Sequence, residues 1–193
     1  MTIRGITAFA IGSLGLIMLS ASADAAISVL GNGPSLTCFQ YAEFSSNPAD
    51  GIETCTFALE ETALTPHDRA ATLVNRGILR SRLADAKGAL RDYDEGLRMD
   101  PTLGEGYVDR GAAKIVLKNF DDALADINKG IALNANRLEI AYYDRAIIDE
   151  AQGNIKDAYA DYKKAVELEP NFALANEQLM RFRVILRKHT DGA

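Results

Sequence analysis

Cys38 and Cys55, with His67 and His189, are the only cysteines and histidines in the 193 residues. A metal site, a nucleophile with its base or a redox pair would have to be built from these side chains. Their spacing serves little of that chemistry. A hydrolytic triad needs a histidine held beside a nucleophile, but His67 falls in a stretch with loop character and His189 next to the C-terminus. There is no C-x-x-C, no H-E-x-x-H and no Gly-rich phosphate loop. Only His67 lies near the cysteines, so no zinc ligand set is assembled. The carboxylates fall at helical surface positions. No enzyme activity, cofactor or metal is expected. A more regular set of charges does recur, as Arg76, Arg110 and Arg145 and as Asp92, Asp126 and Asp161. Two series of opposite sign in step with one another imply pairing, and the pairing needs a scaffold that repeats with them.

That scaffold is written between Ala70 and Pro170. The pieces Asn75-Arg76-Gly77, Asp109-Arg110-Gly111 and Asp144-Arg145-Ala146 end 34 and then 35 positions apart. Each is followed by a small residue (Ala89, Ala123, Ala158), then Tyr93, Ile127 or Tyr162, then Gly96, Gly130 or Ala165, and closes on Asp100-Pro101, Asn134-Ala135 or Glu169-Pro170. Small residues at these places let two antiparallel helices approach closely. Larger ones such as Leu73, Leu90, Tyr93 and Leu97 recur at helical spacing and fill the space beside them. Polar or small residues at Ala84-Asp85, Lys118-Asn119 and Gly153-Asn154 suit the turns, and Pro101 and Pro170 stop the second helices. Each copy is one helical hairpin, which cannot bury its apolar face without stacked neighbours. The three copies resemble the tetratricopeptide repeat (TPR), a 34-residue helix-turn-helix with this succession of small and aromatic positions.

Within that resemblance the Arg series takes the seventh repeat position, usually apolar, and the Asp series the twenty-third. An Arg and an Asp on facing helices would form a partly buried, bidentate ladder that fixes the register of the stack. The alternative is that both are solvated, each pair contributing under about 1 kcal/mol. The resemblance also implies that the first helices line a concave groove. Its lining would be Val74, Asn75, Ile78 and Arg82, then Glu105, Val108, Asp109, Ala112 and Ile115, then Ile140, Tyr143, Asp144, Ile147 and Glu150. Some TPR proteins hold a peptide backbone with Asn at the sixth position, where an amide both donates and accepts. Here that series reads Asn75, Asp109, Asp144, so a bound protein or extended peptide must offer N–H groups or positive charge. Another TPR class clamps a C-terminal carboxylate with Lys, Asn and Arg, and that clamp is absent: Val74, Ile78, Asp109, Ile140 and Asp144 stand in its places. The bland alternative is a solvated inner face.

The flanks complete the reading. Residues 1–25 combine Arg4, an apolar run from Gly5 to Leu19 and the small-residue triplets Ala21-Ser22-Ala23 and Ala23-Asp24-Ala25, the pattern of a secretory signal peptide cleaved after Ala25. Residues 26–69 hold a degenerate hairpin and linker. Gly51-Ile52-x-x-Cys55-x-x-Ala58-Leu59 repeats the second-helix pattern, Cys38 to Glu43 supply a first helix, and Ser45 to Asp50 form the loop between them. In an oxidising compartment an even cysteine count favours a disulfide, worth roughly 3 kcal/mol in the chain-entropy model; a redox-active pair and metal ligation remain as alternatives. Three repeats follow at about 70–103, 104–138 and 139–172, with a capping helix and frayed tail over 173–193. Removal of Arg4 and Asp24 with the signal leaves the net charge at −6, which excludes a generic nucleic-acid or anionic-membrane binder.

The expectation is an all-α, right-handed superhelical stack of TPR hairpins with a C-terminal capping helix. It would work as an exported, periplasmic, non-catalytic adaptor with a protein or peptide partner, more often a monomer than an oligomer. Two alternatives stand beside it, a self-associating envelope module with an empty groove and a thiol-disulfide participant using Cys38 and Cys55.

Overall fold

The computed structural model describes residues 26–28 and 33–190, with side chains as far as Phe182. The expected signal peptide over 1–25 and the last residues of the tail lie outside the described residues. Every element among them is helical: α1 (Pro34–Phe44), α2 (Pro48–Glu61), α3 (Pro66–Arg82), α4 (Ala86–Met99), α5 (Gly104–Val116), α6 (Phe120–Ala132), α7 (Leu138–Gln152), α8 (Ile155–Leu168) and α9 (Ala173–Thr190).

Local chemistry starts and stops these helices. Proline opens α1, α2 and α3, where its fixed φ fits the first turn and its missing N–H is not needed. The Thr65 hydroxyl caps α3 by accepting from the Asp68 N–H, and the Asp85 carboxylate caps α4 by accepting from the Gly88 N–H. Pro48 therefore lies in α2 and not in the Ser45–Asp50 loop read from the sequence; the connection is only Ser45 to Asn47. The three hairpin turns are alike. Ala84, Lys118 and Gly153 take the left-handed conformation at φ 60°, 60° and 85°. Each is followed by an N–H that closes on a carbonyl five residues back: Asp85 to Arg80 at 2.9 Å, Asn119 to Lys114 at 3.0 Å and Asn154 to Asp149 at 2.8 Å. Only Gly153 adopts that conformation without a Cβ penalty.

The helices pair as α1 with α2, α3 with α4, α5 with α6 and α7 with α8, and α9 closes the stack against α8. The first helices α1, α3, α5 and α7 also touch one another in series, and each second helix touches the first helix that follows it. An inner layer of first helices thus faces away from the second helices. The close approach inside a hairpin is set by glycine. A Cβ on Gly77 would stand 2.5 Å from Cε1 of Tyr93, and one on Gly111 would stand 2.6 Å from Cγ1 of Ile127. Tyr93 and Ile127 are themselves fully buried. The N-terminal hairpin is joined covalently, Cys38 Sγ to Cys55 Sγ, with both residues fully buried. An incoming thiolate has no access to either sulfur, and thiol-disulfide exchange needs that access.

Gly77→Ala is expected to lower stability by about 1–3 kcal/mol, because the tyrosine ring must leave its place to admit the methyl group. A urea melt followed by circular dichroism checks this; an unchanged midpoint means the hairpin is looser than its geometry shows.

Candidate functional site

The repeated Arg and Asp side chains sit between the two helices of each hairpin. Arg76 donates to Asp92 through Nε at 3.0 Å and Nη2 at 2.8 Å, Arg110 to Asp126 at 2.8 and 2.7 Å, and Arg145 to Asp161 at 2.6 and 2.9 Å. These are two-pronged, charge-assisted bonds to buried carboxylates. The third nitrogen, Nη1, reaches back to the second helix of the preceding hairpin: to Thr56 Oγ1 at 3.1 Å, Asp94 Oδ1 at 2.8 Å and Asn128 Oδ1 at 2.8 Å. One guanidinium therefore ties three helices together. The bonds to Asp126 and to Asp161 raise the pKa of Arg110 and Arg145 respectively, despite partial burial. A second cation one helical turn along completes the first two carboxylate sites, Arg80 Nη1 on Asp92 at 2.7 Å and Lys114 Nζ on Asp126 at 2.7 Å. In the third repeat that position is Asp149, whose pKa is raised by its burial and further by the nearby charges of Asp161 and Asp157.

The inner layer is less uniform than the repeat pattern implies. Val74, Asn75 and Ile78, expected on an open groove wall, are fully buried. Val74 lies against Gly96 of α4 and Gly106 of α5, while the cover of Asn75 comes from outside the repeats. Asn75 Oδ1 accepts from the backbone N–H of Ile27, and Asn75 Nδ2 donates to the carbonyl of the same residue, each at 2.8 Å. Arg82 is half-buried and donates to the Tyr41 carbonyl of α1 at 3.5 Å. In the second repeat Val108, Asp109, Ala112 and Ile115 are buried, and Glu105 Oε1 accepts from the Asn136 N–H at 3.0 Å. In the third, Ile140 and Asp144 are buried and Ile147 half-buried. Tyr143 packs against the rings of Tyr162 and Phe172 at centroid distances of 5.6 and 5.2 Å. Glu150 accepts from Arg181 of α9 and from the Tyr162 hydroxyl. The capping helix thus reaches the third repeat's inner side chains, while residues 26–28 reach those of the first. Burial, with the Asp144 charge adding to it, pushes the Tyr143 hydroxyl up to about 12. Among the described residues no cluster of His, Cys, Asp or Glu is arranged to hold a metal, and no helix is long and apolar enough to cross a membrane.

The stacked hairpins define a helical-repeat scaffold. The particular repeat follows from comparison: residues 140–172 match the family pattern of the tetratricopeptide repeat. Over 118 residues the chain is 28% identical to the DnaJ homolog subfamily C member 7 homolog of Schizosaccharomyces pombe, a match to 59% of this chain and 25% of that protein. Over 127 residues it is 28% identical to Protein FlbA of Caulobacter vibrioides, 64% of this chain and 20% of the other. The chain spans a quarter or less of the length of these two relatives. Among solved structures, the first TPR of Spaghetti (RPAP3) bound to the HSP90 peptide SRMEEVD superposes with a TM-score of 0.58 at 28% identity, over 63% of this chain and 95% of that one. MamA 41-end from Desulfovibrio magneticus RS-1 superposes with a TM-score of 0.63 at 18% identity, over 83% and 89%. At that identity the likeness speaks for the fold alone. The chain has the TPR fold, an all-α solenoid of helix pairs with a capping helix, typical of non-catalytic scaffolds that bind proteins or peptides.

Two outcomes follow from this geometry. Asp126→Asn leaves Arg110 and Lys114 without their shared anion and should cost about 2 kcal/mol, while Glu95→Gln on the exposed face should cost under about 0.5 kcal/mol; equal midpoints in a denaturant melt would show the pair to be inert. The folded-state pKa of Tyr143 lies above the unfolded value of about 10, so its contribution to stability is complete below pH 10 and is lost as pH rises toward 12. Tyr143→Phe should therefore flatten the alkaline fall of the melting temperature in that window, and an unaltered fall contradicts the burial of the hydroxyl.

Proposed function

We propose that this protein is an exported TPR adaptor, acting in the periplasm, that binds a protein segment in extended form along its inner layer. The observation that carries this reading is the Asn75 amide, which holds both backbone groups of one residue of an extended segment. A side-chain amide is suited to that task because it donates and accepts at once. The same helical position in the next two repeats is Asp109 and Asp144. A carboxylate there favours N–H donors or positive charge. The RPAP3 domain is described as bound to SRMEEVD, a peptide rich in acidic residues. The acidic series proposed here selects against such a ligand and in favour of a neutral or basic one, since like charges in a confined groove repel. Export rests on the residue pattern of 1–25, and the buried cystine suits an oxidising compartment.

The test is a crosslinking capture from the envelope fraction with the parent chain and with Asp109→Ala plus Asp144→Ala, after both are shown to melt alike. The adaptor reading expects a partner captured by the parent, lost in the variant, displaced by a short basic peptide and indifferent to SRMEEVD. Capture that is unchanged in the variant moves the binding surface off the inner layer and overturns the reading.

A further inference from the structure

The contact between Asn75 and Ile27 joins residues 48 positions apart, so no local turn geometry imposes it. Both bonds go to one residue, N–H and carbonyl together, which a backbone offers in this form only when it runs extended past the amide. Ile27 is 8% exposed and belongs to the same apolar cluster as Val74 and Ile78, while Ala26 packs at the edge of that cluster and Ser28 faces solvent. Backbone read by an amide, one aliphatic side chain buried and its neighbour turned outward is the arrangement of a bound peptide. Here the peptide belongs to the chain itself. Asn75 is fully buried with the segment in place, and its amide offers one acceptor and one donor matched to the backbone of a single residue. The segment therefore satisfies a site that is ready for backbone of any origin.

We propose that the Asn75 end of the inner layer is an extended-peptide site occupied in cis by residues 26–28, and that a partner segment reaching this end must displace them. The proposal deepens the adaptor reading by assigning its regulation. It also states the chemistry of a competing segment: an aliphatic residue with a free N–H opposite Asn75, so not proline. A tethered segment competes at an effective concentration on the order of millimolar, which a partner must exceed or avoid.

The experiment uses the full chain and a fluorescent peptide of sequence Ala-Ile-Ser-Val-Leu. Ile27→Pro removes the N–H that Asn75 accepts and weakens the tethered segment. The labelled peptide is expected to bind Ile27→Pro at least about tenfold more tightly than the parent, and the gain should vanish in Ile27→Pro plus Asn75→Ala or when the peptide's own isoleucine is replaced by proline. Equal binding to parent and Ile27→Pro, with circular dichroism unchanged, overturns the proposal, as does a gain that survives Asn75→Ala. Should Ile27→Pro fail to fold, amide exchange on the parent decides. Excess peptide should speed exchange of the Ile27 N–H several-fold, and an unaltered rate overturns the proposal. The two readings fail separately. A peptide effect without an Asp109- and Asp144-dependent envelope partner keeps the cis site and sinks the adaptor, whereas a groove-dependent partner with no peptide effect does the reverse.

Discussion

The fold depends on a fork of nitrogen atoms closing on a carboxylate between two helices. Outside the Gly77–Tyr93 and Gly111–Ile127 fits, the small and aliphatic side chains of a hairpin leave its axial offset loosely specified, because hydrophobic contact has no preferred direction. The Arg76–Asp92 pair and its two successors remove that freedom. Two parallel bonds need the guanidinium and carboxylate planes to meet at one axial offset, and the remaining nitrogen fixes the previous hairpin to Thr56, Asp94 or Asn128. Register within a repeat and register between repeats are thus set by the same side chain. Desolvation of such pairs makes them poor sources of net stability, so their larger contribution here is to specify one stacking geometry.

What the sequence discloses follows from what repeats in it. Gly77 and Gly111 recur because two helices cannot come together around Tyr93 or Ile127 with a Cβ in the way, and such a steric demand returns at each turn of the stack. The all-α solenoid is legible for that reason, and so is the match of Arg76 to Asp92 in both spacing and sign. The third prong of each fork is not legible, since Thr56, Asp94 and Asn128 share only the ability to accept a hydrogen bond. Neither is the cover over Asn75. Ala26, Ile27 and Ser28 carry no periodicity, and the resemblance that places Asn75 on an open wall describes the repeats without their flanks. The start of α2 is misread for a different reason: Pro48 breaks a helix interior but opens a helix well, and position alone does not say which.

These two halves of the structure have different consequences for function. The forks lie between helices and hold the scaffold still. The inner layer is closed at its first repeat by residues 26–28 and reached at its third by Phe172 and by Arg181 of α9. A rigid frame with covered ends restricts where an extended segment can lie, and pre-set geometry of this kind reduces the ordering cost of binding.

Asp149 gives the array a direction. The first two carboxylates are each held by two cations, but the third has an acid where the second cation would stand, and the cystine is at the opposite end. In a stack where each unit leans only on its neighbours, opening begins where the local interface is weakest and travels from there. Local opening is therefore expected to start at the third hairpin and α9, at the end of the array away from the cystine.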